Sequence, residues 1–498
     1  MCYNKIYETI QKEDDVMGDA VQHKVAEHKT QLFLMVILFT NLITMLNTST
    51  VTISLPTYMK IFQVDINTVQ WVVVGYMLPL GMMMPLAGYL CERYSYRKIF
   101  LGGLAAMGLC SLGCACAWNF YALVAFRFLK GVAGGIIVPS TIAMLYRYIA
   151  KGKQAAYLGT AMLFQAIGVT IGPTLAGLLL EVSSWHVLFL FNVPLVALAL
   201  WAGWQSIPSE AGSSTEKVDI AGILQISIGT GMIMIAFTEG DAWGWTSALF
   251  WGCLLIGSGL AVLFIIRQFH TSHPLLNFAV LRYKPFVLAM LVQCTLAMTL
   301  GINAILSQFY FQTGLGWTPA ATGLFLLGPA ITQLFGNRIA IFLHNRGFMR
   351  SLITGGMLVI LVGNLGLCNL SMESNLVFVM ICFAMRYSGI AVLSMPLTNY
   401  GIGSVPPELS GHASSMYNWS KQVVQVVSTN ILTVLLSLNL NRYYLAAGNT
   451  GIPQEGTMAY RLAAIEAVNT DYLYLAVALV ISLGCTLLIK PQKKQEAG

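Results

Sequence analysis

Gly168-Val169-Thr170-Ile171-Gly172-Pro173-Thr174-Leu175-Ala176-Gly177 stands inside a run, from about 156 to 180, that carries no charged residue. Crossing a bilayer takes about 20 apolar residues, so this run is long enough. In hydrocarbon every backbone polar group must be satisfied within its own segment, which makes such a run a helix. Glycines spaced four apart let a second helix approach closely, and Pro173 bends the backbone. Gly168, Gly172, Pro173 and Gly177 therefore predict a bent helix packed tightly on a neighbour.

Runs of this kind recur through the chain. They predict spans at 32–55, 68–90, 99–117, 120–146, 156–180, 186–206, 220–238, 247–267, 286–312, 320–341, 351–371, 375–400, 412–437 and 472–490. Of the 498 residues 57% are hydrophobic and only 9% charged, against about 25% charged in a soluble domain. The reading is an all-α polytopic membrane protein of fourteen transmembrane helices.

The net charge of +7 comes from topology, not from a nucleic-acid footprint. If the first span runs outward from a cytoplasmic tail, Lys60, Arg442 and Arg461 fall on the outer side. Arg127, Lys130, Arg338, Arg386 and Lys421 fall within spans, and the remaining nineteen bases gather on the inner side. This is the positive-inside rule, and it puts both termini in the cytoplasm. The first 30 residues are charged and lack an apolar core, which reads as a solvated tail and not a signal peptide. Most of the ten cysteines lie in apolar runs, where a thiol behaves as a small hydrophobe. No metal-ligand spacing is present, so neither metal nor cofactor is expected.

Three further motifs accompany the glycine-proline run. Between the second and third spans stands Gly88-Tyr89-Leu90-Cys91-Glu92-Arg93-Tyr94-Ser95-Tyr96-Arg97-Lys98. An acid followed by three bases in a short inner loop can form a breakable ionic latch, with Gly88, Glu92, Arg93, Arg97 and Lys98 as its members. The fourth span carries Arg127, followed by Gly131, Gly134 and Gly135. The sixth opens Trp185-His186-Val187-Leu188-Phe189-Leu190-Phe191-Asn192-Val193-Pro194. Arg127-Phe128-Leu129-Lys130-Gly131 also has a weak counterpart in Arg386-Tyr387-Ser388-Gly389 of the twelfth span, as two related halves around a central site would produce.

In order and spacing these motifs resemble the major facilitator superfamily, and within it the fourteen-helix drug:proton antiporter branch. Gln70-Trp71-Val72-Val73, Asp219-Ile220-Ala221-Gly222 and Trp243-Gly244-Trp245 add to the likeness, which covers residues 32 to about 430. The resemblance implies two six-helix bundles joined by two extra helices, with alternating access to a central cavity. The expected division is a tail at 1–31, a bundle at 32–206, a cytoplasmic linker at 207–219 and the extra pair at 220–267. A second bundle follows at 268–490, with an extracytoplasmic loop at 438–471, and a tail at 491–498. Around Met458, Leu462 and Ile465 helical spacing is weak, enough for a short surface helix only.

The chain departs from the branch pattern in informative places. Where the branch has a protonatable Asp late in the first helix, this chain has Asn47, which binds no proton near neutral pH. Lys130 stands where Gln is favoured three residues after the Arg, Ser95 replaces a Gly in the inner loop, and His186 replaces an Arg. Arg127 and Lys130, three apart, share a face of their helix. Arg386 and Lys421 fall near mid-span, and no Asp or Glu does. Asp219 and Glu239 are the acids nearest to lipid depth. A buried base costs about 2.5–3.5 kcal/mol on insertion scales and usually marks function. The candidate substrate or coupling residues are thus Asn47, Arg127, Lys130, His186, Arg386 and Lys421.

These features predict a secondary carrier of the bacterial-type inner membrane. It would export small amphipathic compounds or drugs by proton antiport, and its basic cavity would favour anionic or zwitterionic substrates. The alternatives are a cationic multidrug exporter and a transport-deficient sensor with a carrier fold. An intramembrane enzyme would need a convergent nucleophile–base set or a metal cluster, and a nucleotide-driven pump a phosphate loop; neither is in the sequence. Partners are a small molecule, protons and the lipid bilayer. A periplasmic adaptor stays unassigned.

Overall fold

The structure is a computed structural model that describes residues 27–489, apart from 65, 70, 211–218, 272–273 and 449–456. Most of the expected tails and the centre of the expected linker lie outside these residues. Among them there is no strand. Fourteen long helices follow one another. They are α1 (Glu27–Ile53), α2 (Trp71–Tyr94, interrupted by a 3-10 turn at Met84–Leu86), α3 (Tyr96–Ala115), α4 (Phe120–Tyr148), α5 (Lys151–Val182), α6 (Asn192–Ser206) and α7 (Ile220–Trp243). Then come α8 (Ala248–His270), α9 (Lys284–Gln308, continued by a π turn Phe309–Gly314), α10 (Pro319–Asn345), α11 (Met349–Gly366), α12 (Leu376–Ile402), α13 (Ser410–Ala446) and α14 (Met458–Leu487). Thirteen of the spans are long and apolar enough to cross a membrane, and α5, with 32 residues, has the length to be the fourteenth.

An even number of crossings brings the start of α1 and the end of α14 to one face, here called the near face. Five of the seven helices that start at the opposite, far face carry side-chain caps. Asn119, Ser247, Thr318, Asn375 and Thr457 each accept a backbone N–H of the first turn, satisfying donors that a helix start leaves open. The outward faces are apolar. On α8, for instance, Leu255 and Phe269 are 67% and 70% exposed, a surface that only lipid can cover.

The segment after α13 corrects an expectation. An irregular loop was predicted over 438–471, yet α13 continues to Ala446 and α14 begins at Met458. Thr457 caps α14, and Ala463, Ala464, Ala467 and Val468 bury one side of its first turns. Alanine spacing carries this helix, so its hydropathy signal is faint although its packing is dense. The added turns draw Asp471 into the middle of a membrane helix.

Within α1–α6, α1 lies on α5 and α6, α2 on α4, and α3 on α4 and α6. Within α9–α14, α11 lies on α12 and α14, α10 on α12, and α9 and α14 on α13. The groups meet where α5 touches α10 and α12, and where α2 and α4 touch α13. α7 pairs with α8 and leans on both groups: Ser227 donates to the Met82 carbonyl (3.3 Å), and Trp419 of α13 donates to Thr230 (3.0 Å).

Candidate functional site

The glycine-proline motif of α5 finds α1 as its neighbour. A side chain at Gly168 would meet Met45 and Leu42, and one at Gly172 would meet Ser49 and Leu46. In this close approach Ser49 donates across the helix pair to the Gly168 carbonyl (3.2 Å). Of Pro173 and Gly177 only the helical backbone is described.

At the near face the inner-loop motif docks on the start of α13. The Gly88 N–H donates to Ser415 Oγ (2.8 Å), and a Cβ on Gly88 would stand 2.5 Å from the Gly411 backbone. Glu92 pairs with His412 (3.1 Å), whose other ring nitrogen lies 3.1 Å from the Leu275 carbonyl. Ser414 adds a bond to the Pro139 carbonyl (2.7 Å). Of the residues expected to form a latch, only Gly88 and Glu92 make these contacts with α13. Its acid reaches across to α13, while Arg97 lies over Trp204 and donates to that residue's carbonyl (2.7 Å). Arg93 sits by Tyr89 and Tyr94, and Lys98 is exposed. Ser95, where the resemblance expects Gly, has φ 96°, a left-handed conformation that glycine adopts freely and other residues adopt under strain.

In mid-membrane the predicted cations are buried against aromatic faces. The Arg127 guanidinium lies 5.2 Å from the Tyr76 ring, Lys130 Nζ 5.5 Å from the Phe189 ring, and the Arg386 guanidinium 5.1 Å from the Tyr472 ring. All three residues are at most 1% exposed. Nε and Nη1 of Arg127, Nζ of Lys130 and all three guanidinium nitrogens of Arg386 have no hydrogen-bond partner among the described residues. A desolvated cation–π contact is worth about 2 kcal/mol, whereas an uncompensated buried charge costs several. The protein leaves a deficit that an anionic group can fill.

The remaining candidates are scattered. Asn47 is buried with its amide 3.8 Å from Met107 Sδ. Lys421 is half-buried, two residues beyond the Trp419 that bonds α7. His186 stacks on Trp185 (4.0 Å) beside Ser184, and Phe189 one turn later lies under Lys130. Sequence reading missed Asp471. It is fully buried, with Oδ1 accepting from Asn439 of α13 (3.4 Å) and Oδ2 without a partner among the described residues. Among the described residues one acid, Asp471, is thus fully buried within a helix long enough to span, where the expected loop would have left it outside any span. The signal was present in the Thr457 cap and the alanine spacing after it.

At the far face Thr68, Trp71, Phe120, Tyr121, Val124 and Glu239 line a cavity of about 440 Å³, and Val124 is one turn from Arg127. A model of the Major Facilitator Superfamily matches residues 37–429.

This chain belongs to that superfamily.

The transporter has bacterial relatives across most of its length. It is 27% identical over 420 residues to an uncharacterized MFS-type transporter, YhcA, of Bacillus subtilis (84% of this chain, 78% of that one). It is 26% identical over 430 residues to the lincomycin resistance protein LmrB of the same species (86% and 90%). With the tetracenomycin C resistance and export protein of Streptomyces glaucescens it shares 25% over 393 residues (79% and 73%). The human organic anion transporter MFSD10 has the same fold, with a TM-score of 0.59 at 12% identity over 92% of this chain and 99% of that one. The chain is thus a multi-pass membrane transporter with drug-resistance relatives, and not an enzyme.

Proposed function

We propose that this transporter exports small amphipathic compounds by alternating access and proton antiport, and that it prefers substrates carrying a negative group. The near face is read as cytoplasmic, in a bacterial-type plasma membrane. The observation that carries the substrate preference is the set of buried cations, Arg127, Lys130 and Arg386, whose charged nitrogens include several with no acceptor. With Lys421 they outnumber Asp471, the one fully buried acid among the described residues of the spanning helices. Export is supported by relatives named for lincomycin resistance and tetracenomycin export. Alternating access is supported by the docking of Gly88 and Glu92 on α13 at the near face, opposite a cavity at the far face.

A second reading, a cationic multidrug exporter, has one observation in its favour. Glu239 lines the far-face cavity among Trp71, Phe120 and Tyr121, a lining suited to a lipophilic cation. Proteoliposomes under an imposed pH gradient separate the two. The probes are fluorescein, rhodamine B (a zwitterion) and the cationic ethyl ester of rhodamine B. The proposal expects gradient-dependent movement of a probe bearing a carboxylate, lost in Lys130→Gln. Movement of the ester alone overturns it in favour of the cationic reading, and movement of none points to the sensor.

A further inference from the structure

The acid that α14 carries into the membrane has no part in the substrate preference above. Asp471 is thirteen residues from the start of a 30-residue helix, about 20 Å along its axis at 1.5 Å per residue, and it lies inside the bundle toward the far face, where Asn469 bonds the backbone of Leu370 and Asn364 the carbonyl of Tyr472. Such a residue is costly to place there and marks ion pathways and proton relays. Its surroundings are polar, and among the described residues no ion pair holds it, although cations stand nearby. α13 presents Asn439 to Asp471 and Tyr443 to Thr470 (2.9 Å), with Arg442 exposed on the same turn. Leu370, just after the 3-10 turn that follows α11, exchanges two hydrogen bonds with Asn469, and the π turn after α9 presents Tyr310, bonded to the Ser371 carbonyl. From α12 comes Arg386, held over Tyr472, the neighbour of Asp471. On α14 itself Arg461 and Glu466 lie one to three turns toward the far face.

Resting on the antiport reading, we infer that Asp471 is the group that takes up and releases the coupling proton. The unpartnered Oδ2 accepts one proton from water admitted from one face, which turns the carboxylate into a neutral acid. The same O–H gives that proton back to water when the other face opens. Asn439, which touches only Oδ1, is a positioning residue and leaves Oδ2 free for this exchange.

Charge balance then narrows the substrate. Ionised Asp471 offsets one of the neighbouring cations, and protonation removes that offset. A plain anion is therefore drawn in together with the proton, which is cotransport. Antiport needs a substrate whose positive group stands in for the proton while its negative group meets the cations. A zwitterionic amphiphile meets both demands.

Two measurements on the full-length protein in lipid test the assignment. Infrared difference spectra against pH should show the carbonyl stretch of a protonated, unhydrated carboxylic acid, absent from Asp471→Asn and shifted in Asp471→Glu. In proteoliposomes Asp471→Asn should lose rhodamine B accumulation driven by a pH gradient, and Asp471→Glu should restore it. A carbonyl band that persists unchanged in both variants overturns the inference, as does gradient-driven accumulation by Asp471→Asn. If Asp471→Asn does not fold, the band position in Asp471→Glu decides alone. If the wild type performs counterflow yet ignores the gradient, the antiport reading fails, and the infrared band still decides whether Asp471 holds the proton.

Discussion

Replacing Gly88 by Ala should open the near face. The new Cβ would stand 2.5 Å from the backbone of Gly411 and 2.9 Å from the His412 nitrogen, and backbone cannot move aside as a side chain can. Overpacking of this kind costs about 1–3 kcal/mol. Separating the two helices also removes the 2.8 Å bond from Gly88 N–H to Ser415, worth about 1 kcal/mol net. The closed conformer loses about 2–4 kcal/mol, and at 1.4 kcal/mol per factor of ten its population relative to the open form falls at least about 25-fold. Cys91 reports this change. It is 1% exposed, three residues along α2, with its sulfur 3.1 Å from Ser140 Oγ of α4. Labelling with a membrane-impermeant maleimide from the near face, read by mass spectrometry, should be at least tenfold faster in Gly88→Ala. Gly152→Ala, where a Cβ meets nothing within 4 Å, should label like the wild type. Equal Cys91 labelling in Gly88→Ala and wild type would refute the role of this approach in closure.

Three other outcomes follow from the same geometry. Ser95→Gly should relieve the φ 96° conformation and raise stability by about 1 kcal/mol, seen as a higher melting temperature in detergent; no gain would mean that the loop tolerates the serine without strain. Lys130→Gln combined with Asn47→Asp, which restores the branch pattern, should shift the ratio of zwitterion to cation transport toward the cation by about tenfold or more, and an unchanged ratio would refute the charge argument. Asp219 caps α7 through Gly222 N–H (3.0 Å) and pairs with Arg267 (2.8 Å). Burial raises its pKa, but the Arg267 and Gly222 hydrogen bonds together hold it below the usual carboxylate value. A depressed pKa stabilises the fold above the unfolded value of about 3.9 and loses that effect as pH falls through the folded one. Asp219→Asn should therefore melt earlier than wild type at neutral pH, with the difference closing below about pH 4, and a constant difference would refute the linkage.

Much of this protein was legible before any contact was known. Fourteen helices could be read because each membrane span must be apolar along its own length, which is a local property. The cations of α4, α12 and α13 were legible for the same reason, since a base inside an apolar run stands out. α14 blurred that signal. Its first turns are built on alanine and interrupted by Asn469, Thr470 and Asp471, so hydropathy placed its start at Tyr472, one residue too late to include the acid.

The sequence by itself determined the fold class, the depth of the buried bases and, through the resemblance, the superfamily, because apolar length and motif spacing run along the chain. The tertiary structure decided partners. Glu92 meets His412 across 320 residues of chain, Arg127 finds the face of Tyr76, Lys130 that of Phe189, and Gly168 makes room for α1. Such pairings depend on how helices from distant parts of the chain lie against one another, and no local pattern of residues encodes which side chain will stand opposite a buried charge.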